Sequence, residues 1–492
     1  MTGKTDDAPR RPGLPLLLAV AAAAVYLPSL FAGFFSDDFQ WLGRMNATLE
    51  RPLYLFSIIY RDFNPVLHAS LLLDWLAGRG SPVAFHAQSI LIHAANAALL
   101  FVLCRKLALP SSGAAAVTLL WAWNVRISEA VIWPAARGHE LATTFVLAAF
   151  VVLLGSLRWR SALALSLFVA ALLTKETALM PMLLVPMLLG ASRRHWRLYA
   201  AVGSLGFAFV LFNLVAKPDF HSSPAPLSAL LLKIPFILLR PIGLGDHYDF
   251  SPPMAVALLV LFGGAAWLLR RTPAAVGFAW VALCTLPIIP LDKLSSRYLY
   301  MMAVGYALVA YGAAEWSVRS LTAASARAVL RGAMTIGVGV VLAAGALRIQ
   351  AEIRDYEDLG RPYHSCLSIL APELVALEPG EQVVVVDVGP RDSVRRLADE
   401  LNARPTITKL IPSRDAGVDG LIALVDMLNV ARERSPGLLG YAGRLGEPGP
   451  TRFVVFDGHA ARRVAPIPTD RLPDGRVFVA GWGEADRYFE AD

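Results

Sequence analysis

Charge is scarce in this sequence. Only 17% of its 492 residues are Asp, Glu, Lys or Arg, while 56% are hydrophobic; ordinary soluble domains carry roughly 25% charged residues, so a water-soluble globule is excluded for most of the chain. Cysteine is scarcer still. Cys104, Cys284 and Cys366 stand far apart, which excludes a disulfide framework and a zinc ribbon. The first two lie in apolar runs, where a thiol behaves as a small hydrophobe. The last third has no glycine-rich phosphate loop of recognised spacing, no metal-ligand cluster and no repeat of solenoid length, so nothing in it points to nucleotide binding or a helical array.

Long apolar runs are what the sequence has in abundance. They recur at roughly 13–34, 84–107, 112–125, 139–157, 160–174, 176–191, 196–216, 253–269, 274–291, 298–315 and 328–347. Each is read as a crossing of about 30 Å of hydrocarbon, the shorter ones tilted or extended by polar turns. The fold class expected is therefore an α-helical polytopic membrane protein of about 11 transmembrane helices, residues 1–349, followed by a soluble α/β domain, residues 350–492. Arg10 and Arg11 ahead of the first run resemble the start of a secretory signal. The run is longer than a signal core and many spans follow, so it reads as an uncleaved anchor.

The charge divides along the same line. From Gln350 onward there are 17 basic and 23 acidic residues, a net of −6, which leaves +13 of the overall +7 to the part before it. That basicity suits anionic headgroups or phosphate-bearing substrates rather than a nucleic acid, and positive cytoplasmic loops account for part of it. Arg105/Lys106, Arg158/Arg160, the 193–197 cluster "RRHWR", Arg270/Arg271 and Arg319/Arg327/Arg331 would face the cytoplasm. The expected location is the inner (plasma) membrane, multi-pass, with the N-terminus cytoplasmic and the C-terminal domain outside. One apolar segment, 226–250, does not fit the alternation. Pro235 and Pro241 interrupt it and Lys233 and Arg240 share a face, so it is read as an interfacial or re-entrant helix on the outer side.

After Gln350 the pattern turns to short β runs and amphipathic helices: strands at 381–389, 406–411, 451–458 and 476–482, and helices at 391–403 and 420–434. This alternation is the basis of the α/β expectation.

Polar residues collect in the segments placed outside. "GFFSDDFQWL" puts Asp37 and Asp38 side by side among aromatics after the first run. Adjacent carboxylates repel each other's charge, which raises one pKa and suits a general base; the pair can also hold a divalent cation, or simply begin a solvated loop. Further on, "YRDFNP" carries Arg61, and "FHAQSILIHAANAALL" puts His86, His93 and Asn96 on one helix face, either a polar seam between packed helices or a substrate contact. Arg126, Glu129, Trp133, Arg137, His139 and Glu140 crowd one short loop. Trp133 offers a ring for stacking and Arg137 a fork for phosphate, although such crowding can be mere solvated charge. "TKE" at 174–176 and "SSRYLY" at 295–300 place Lys175, Glu176 and Arg297 at the mouths of apolar spans.

Taken in order, the acid pair, "YR…NP", "FHAQSILIHAANAALL", "SEAVIWPAARGHELAT", "LLTKETALMPMLLV" and "SSRYLYMMAVGYAL" form a series that resembles the C-type glycosyltransferase superfamily. It is most similar to the membrane part of the transmembrane and tetratricopeptide-repeat O-mannosyltransferases and their bacterial relatives. The resemblance covers roughly residues 13–315. It implies a polyprenyl-phosphate-linked sugar as donor, transfer outside the cytoplasm to a protein, lipid or cell-envelope glycan, and inversion at the anomeric carbon. By similarity Asp37 or Asp38 is the base. Arg137, Lys175 and Arg297 hold the donor phosphate, and Arg61, His93, Trp133 and Glu176 line the substrate. Any divalent metal would sit on Asp37 and Asp38. Two departures stand out: an α/β domain replaces the helical repeats, and "WNVRISEA" stands where relatives often have a His-Pro pair. A transporter, or a non-catalytic polysaccharide-assembly subunit, are the competing readings.

Overall fold

The computed structural model describes residues 13–34, 37–58, 63–78, 81–190, 192–216, 227–242, 251–289, 295–375, 382–387, 410–412, 451–456 and 461–464. Its contacts divide the chain into two units, one of 1–31 and 55–353, the other of 32–54 and 354–492.

The first unit is helical. It comprises α1 (Leu14–Ala24), α3 (Pro65–Gly78), α4 (Pro82–Lys106), α5 (Ser111–Ala122), α6 (Ser128–Ile132), α7 (Gly138–Leu153), α8 (Arg160–Leu172), α9 (Leu179–Met182), α10 (Val185–Leu189), α11 (Trp196–Ala216), α12 (Leu227–Leu239), α13 (Pro252–Leu268), α14 (Ala274–Thr285), α15 (Leu299–Ser320) and most of the membrane-type part of α16 (Ala324–Val375), while α2 (Asp38–Glu50) belongs to the second. Proline marks several starts: Pro82 opens α4 and Pro252 opens α13, positions where its missing N–H costs nothing. Arg105 and Lys106 close α4, where cations suit the carbonyl end of a helix.

Every expected apolar run falls on helix, but the crossings differ in length from the expectation. Among the described residues four helices are long and apolar enough to span a bilayer, and five if the bent pair 111–122 with 125–132 counts as one. The other runs fold as shorter apolar helices, and 176–189 is broken into three pieces. The chain is a multi-pass membrane protein. The apolar side chains left outward agree with that: Phe207, Leu214 and Val215 on α11, Val260, Leu261 and Trp267 on α13, and Val329, Ile336 and Leu347 on α16 are all more than half exposed. Such continuous apolar surface belongs in lipid.

Three features lay outside the sequence expectation. The segment 65–78 is a helix packed on α4, with Leu67, Leu71 and Asp74 buried. Helix α16 runs for 52 residues without a break, straight across the point where composition turns polar, because its polar half still consists mostly of good helix formers. And α12, interrupted by Pro235, is docked by its end: Tyr306 donates to the Leu238 carbonyl and Asn124 to that of Pro241.

Helices α14 and α15 are in close backbone contact. A Cβ added to Gly277 would lie 2.5 Å from the Gly305 carbonyl oxygen, and one added to Gly305 would lie 2.7 Å from that of Gly277. Two backbones touch there, which only glycine permits.

In the second unit four strands form one sheet in the order β2-β1-β3-β4, with β1 Gln382–Asp387, β2 Leu410–Pro412, β3 Thr451–Phe456 and β4 Ala461–Val464. β1 and β3 are parallel, and β2 and β4 pair antiparallel at either side. A parallel pair demands a long crossover. The expected helices at 391–403 and 420–434 and the strand at 476–482 lie outside the described residues, and β4 was not anticipated.

Gly277→Ala or Gly305→Ala is expected to destabilise the helical unit by roughly 1–3 kcal/mol, the usual cost of overpacking, read as a lower unfolding midpoint in detergent. Gly263→Ala on α13, with no atom near its Cβ position, should leave that midpoint unchanged.

Candidate functional site

The helical unit gathers three sequence-distant segments at one place. Asn124 caps the turn 125–127 by accepting the Arg126 N–H at 2.9 Å, and α6 follows with Glu129 in its first turn. The Glu129 carboxylate accepts from the Ser295 hydroxyl, from the Arg297 backbone N–H at 3.0 Å and from its guanidinium at 2.9 Å. That guanidinium also lies over the Trp133 ring, 4.7 Å from its centre, and 5.5 Å from that of Tyr298. Arg297 is therefore fixed at one edge by an acid and on its face by aromatic rings, while about a quarter of its side chain stays accessible.

The third segment brings Lys175 from the end of α8, paired with Glu176 at 3.2 Å. His139, in the first turn of α7, meets Tyr298 edge-on at 5.0 Å and 86°, and it faces both Lys175 and Arg297. Gly138 lies close to the same segment: a Cβ there would stand 3.2 Å from Leu67 and 3.7 Å from the Lys175 chain and the Thr174 carbonyl. Two cations, two acids, an imidazole and two aromatic rings thus meet in one partly open cluster, an arrangement able to hold an anion beside a ring-shaped polar group.

Arg137 is placed elsewhere than the sequence suggests. It is fully buried. Its Nε donates to Ser89 Oγ at 3.1 Å, one terminal nitrogen to Asp74 and Gln88, and the other to the Phe85 carbonyl at 2.5 Å. In this arrangement the guanidinium ties α7 to α3 and α4 with four hydrogen bonds, so most of its donors are spent within the helix packing. Burial pushes the Asp74 carboxyl up to about 6, with the opposing pull of Arg137 too weak to prevent it.

The remaining expected site residues divide. His93 is buried, its Nδ1 2.8 Å from the Tyr300 hydroxyl and Nε2 3.2 Å from the Ala122 carbonyl, with Trp121 stacked on it at 5.0 Å. Asn96 donates to the Glu140 carbonyl and to Tyr300. This is the polar seam between packed helices that the histidine face suggested as one alternative. Trp133 and Glu176 belong to the Lys175–Arg297 cluster. Arg61 lies outside the described residues. Asp37 and Asp38 sit in the second unit at the start of α2, Asp38 buried and Asp37 partly exposed. Among the described residues no three His, Cys, Asp or Glu gather as a metal would need.

Glu129, His139 and Asp74 are the residues sequence reading passed over as site members. The first two were visible as part of a crowded loop, but nothing in their spacing showed which would meet Arg297. Asp74 carried a signal of a kind, a lone acid among "LLLDWLAG", where an apolar neighbourhood calls for a buried partner.

In fold and in sequence the chain resembles the C-type glycosyltransferases. The lipid-bound structure of ArnT from Cupriavidus metallidurans, determined with undecaprenyl phosphate, superposes with a TM-score of 0.52 over 90% of this chain and 93% of that one, at 13% identity; the likeness is one of fold. The apo form of ArnT gives 0.47 over 76% and 82%, at 15% identity. Protein O-mannosyl-transferase Tmtc1 of Drosophila melanogaster is 29% identical over 182 residues, 33% of this chain and 21% of that protein. The chain thus spans about a fifth of the length of that curated relative. No family model matches the sequence.

Replacing Arg137 by Ala is expected to cost about 3–5 kcal/mol, because the Asp74 charge is left buried without its partner. The Asp74 carboxyl also sets a pH dependence. Its folded pKa lies above the unfolded value, so its favourable contribution is complete below about pH 4 and is lost as pH rises through about 6. Asp74→Asn removes the titrating carboxyl, so its unfolding midpoint should lack the wild-type decline between those pH values.

Proposed function

We propose that this chain is an integral-membrane glycosyltransferase that moves a sugar from a polyprenyl-phosphate donor to an extracytoplasmic acceptor, with inversion. The observation that carries the reading is the convergence of Lys175, Arg297 and their aromatic walls from three separate segments, in a fold like that of ArnT. In such a transfer the acceptor hydroxyl attacks the anomeric carbon, the bond from that carbon to the phosphate oxygen breaks, and negative charge builds on the departing lipid phosphate. Cations beside the phosphate stabilise that charge. Asp37 or Asp38 takes the proton of the attacking hydroxyl. Trp133 supports the sugar or the headgroup, and Glu176 steadies Lys175.

The wider architecture belongs to the same proposal. The N-terminus is cytoplasmic, the shorter apolar helices complete about eleven crossings between them, and residues 350–492 form an extracytoplasmic α/β domain on the acceptor's side of the membrane. The 227–242 helix stays on the outer face.

Turnover of a polyprenyl-phosphate sugar by the purified protein tests the proposal. Asn at the position of the true base should lower turnover roughly 10²–10⁴-fold. The same replacement should leave the unfolding midpoint in place. Lys175→Ala and Arg297→Ala should raise the donor KM first and lower kcat as well, since the phosphate is held before the bond breaks and more strongly as it breaks. Full activity in both Asp37→Asn and Asp38→Asn would remove the acid pair from the mechanism.

A further inference from the structure

His139 is the part of the cluster that neither the sequence motifs nor the fold comparison assigns. It is 95% buried, with a relative exposure of 5%. A buried imidazole ordinarily satisfies its ring nitrogens within the protein. His93 does so with Tyr300 and Ala122. His139 does not. Among the described residues its side chain has the edge-on contact with Tyr298 and the electrostatic company of Lys175 and Arg297, and no hydrogen bond to either nitrogen. Its neighbours cannot supply one easily: an ammonium and a guanidinium are donors without lone pairs.

Those same neighbours show what is missing. The site's donors, two cations and an imidazole N–H, outnumber its acceptors, since Glu129 and Glu176 are each already paired with a cation. The site lies at the first turn of the 16-residue helix α7, whose aligned peptide dipoles favour negative charge at that end. Glu129 and Glu176 each pair with one cation, which holds the cations in place. The backbone is held from below, since Arg137 immediately before Gly138 is tied to α3 and α4. The imidazole is therefore presented by a fixed helix end and not by a mobile loop.

We propose that His139 is a third phosphate-binding residue, donating a ring N–H to a non-bridging oxygen of a phosphate monoester held between Lys175 and Arg297. The inference rests on the reading above, and it commits the phosphate to being the headgroup of the polyprenyl carrier. It adds a directional donor where the two cations supply charge. A single hydrogen bond to a charged oxygen in a site shielded from water is worth roughly a 10- to 100-fold change in affinity.

The test measures binding of a long-chain polyprenyl monophosphate, the corresponding polyprenol and inorganic phosphate to the full-length protein in lipid nanodiscs, with unfolding midpoints taken on the same samples. His139→Ala is expected to weaken the polyprenyl phosphate by that factor and to leave the polyprenol unaffected. His139→Gln keeps an N–H donor on a side chain of similar reach, and it should restore most of the affinity. That rescue separates hydrogen bonding from packing and also serves if the alanine variant folds poorly. Unchanged phosphate affinity in His139→Ala, alongside a loss in Lys175→Ala, would overturn the inference while leaving the proposed function standing. A glutamine variant as weak as alanine at an unchanged midpoint would also overturn it. No loss in any of the His139, Lys175 and Arg297 variants would overturn the proposed function itself. Loss of inorganic phosphate binding alone would make the free anion, not the carrier lipid, the ligand.

Discussion

A guanidinium with no access to water holds one end of α7 in place. Arg137 joins three helices through Asp74, Gln88, Ser89 and the Phe85 carbonyl, and the two residues that follow it carry the contacts with Lys175 and Tyr298. A bundle packed in lipid has little hydrophobic drive between its helices, because the tails are as apolar as leucine. Polar ties and close backbone contact must supply position. Arg137 is such a tie and the Gly277/Gly305 contact is such an approach. Both are of a kind that slides poorly, the first because breaking it strands a buried charge and the second because any larger residue separates the helices.

The same principle organises the interior beyond α7. His93, Asn96, Trp121 and Tyr300 link α4, α5 and α15 by hydrogen bonds and ring contacts. Trp280 adds a further bond to the Met301 carbonyl. These bonds meet next to the 295–300 turn, so the polar seam carries the base on which Arg297 is mounted. Conserving charge inside a low-dielectric body and exposing charge at its surface are separate tasks, and this protein assigns them to different arginines. Arg137 performs the first. Arg297, partly accessible and steadied by Glu129 and Trp133, is suited to the second.

Much of the architecture could be read before any coordinates. Among the described residues each expected apolar run is mostly helical, because a segment in hydrocarbon has no other way to satisfy its backbone. The strands at 381–389, 406–411 and 451–458 were visible in their β-branched runs; β1 and β3 fall inside the first and last, and β2 overlaps the end of the second. The choice of Lys175, Arg297, Trp133 and Glu176 as site residues rested on cations and aromatics at the mouths of spans, and those four do come together. Reading failed where the deciding quantity was contact between distant segments. Arg137 and Arg297 look alike in sequence, each an arginine in a polar loop within four residues of an aromatic, yet one is sealed by α3 and α4 and the other is not.

The sequence by itself determined the class of environment, the helical character, the residues available for chemistry and the change of composition near Gln350. These depend on local properties, the hydropathy of a run and the type of a side chain, which no partner can alter. Tertiary structure alone decided which polar groups are used up inside and which remain for a ligand. Asp74 and Ser89 claim Arg137, Glu129 claims one edge of Arg297, and among the described residues His139 has no hydrogen bond to its ring nitrogens. Whether a donor is engaged depends on acceptors scores of residues away, and only folding brings them within 3 Å of it.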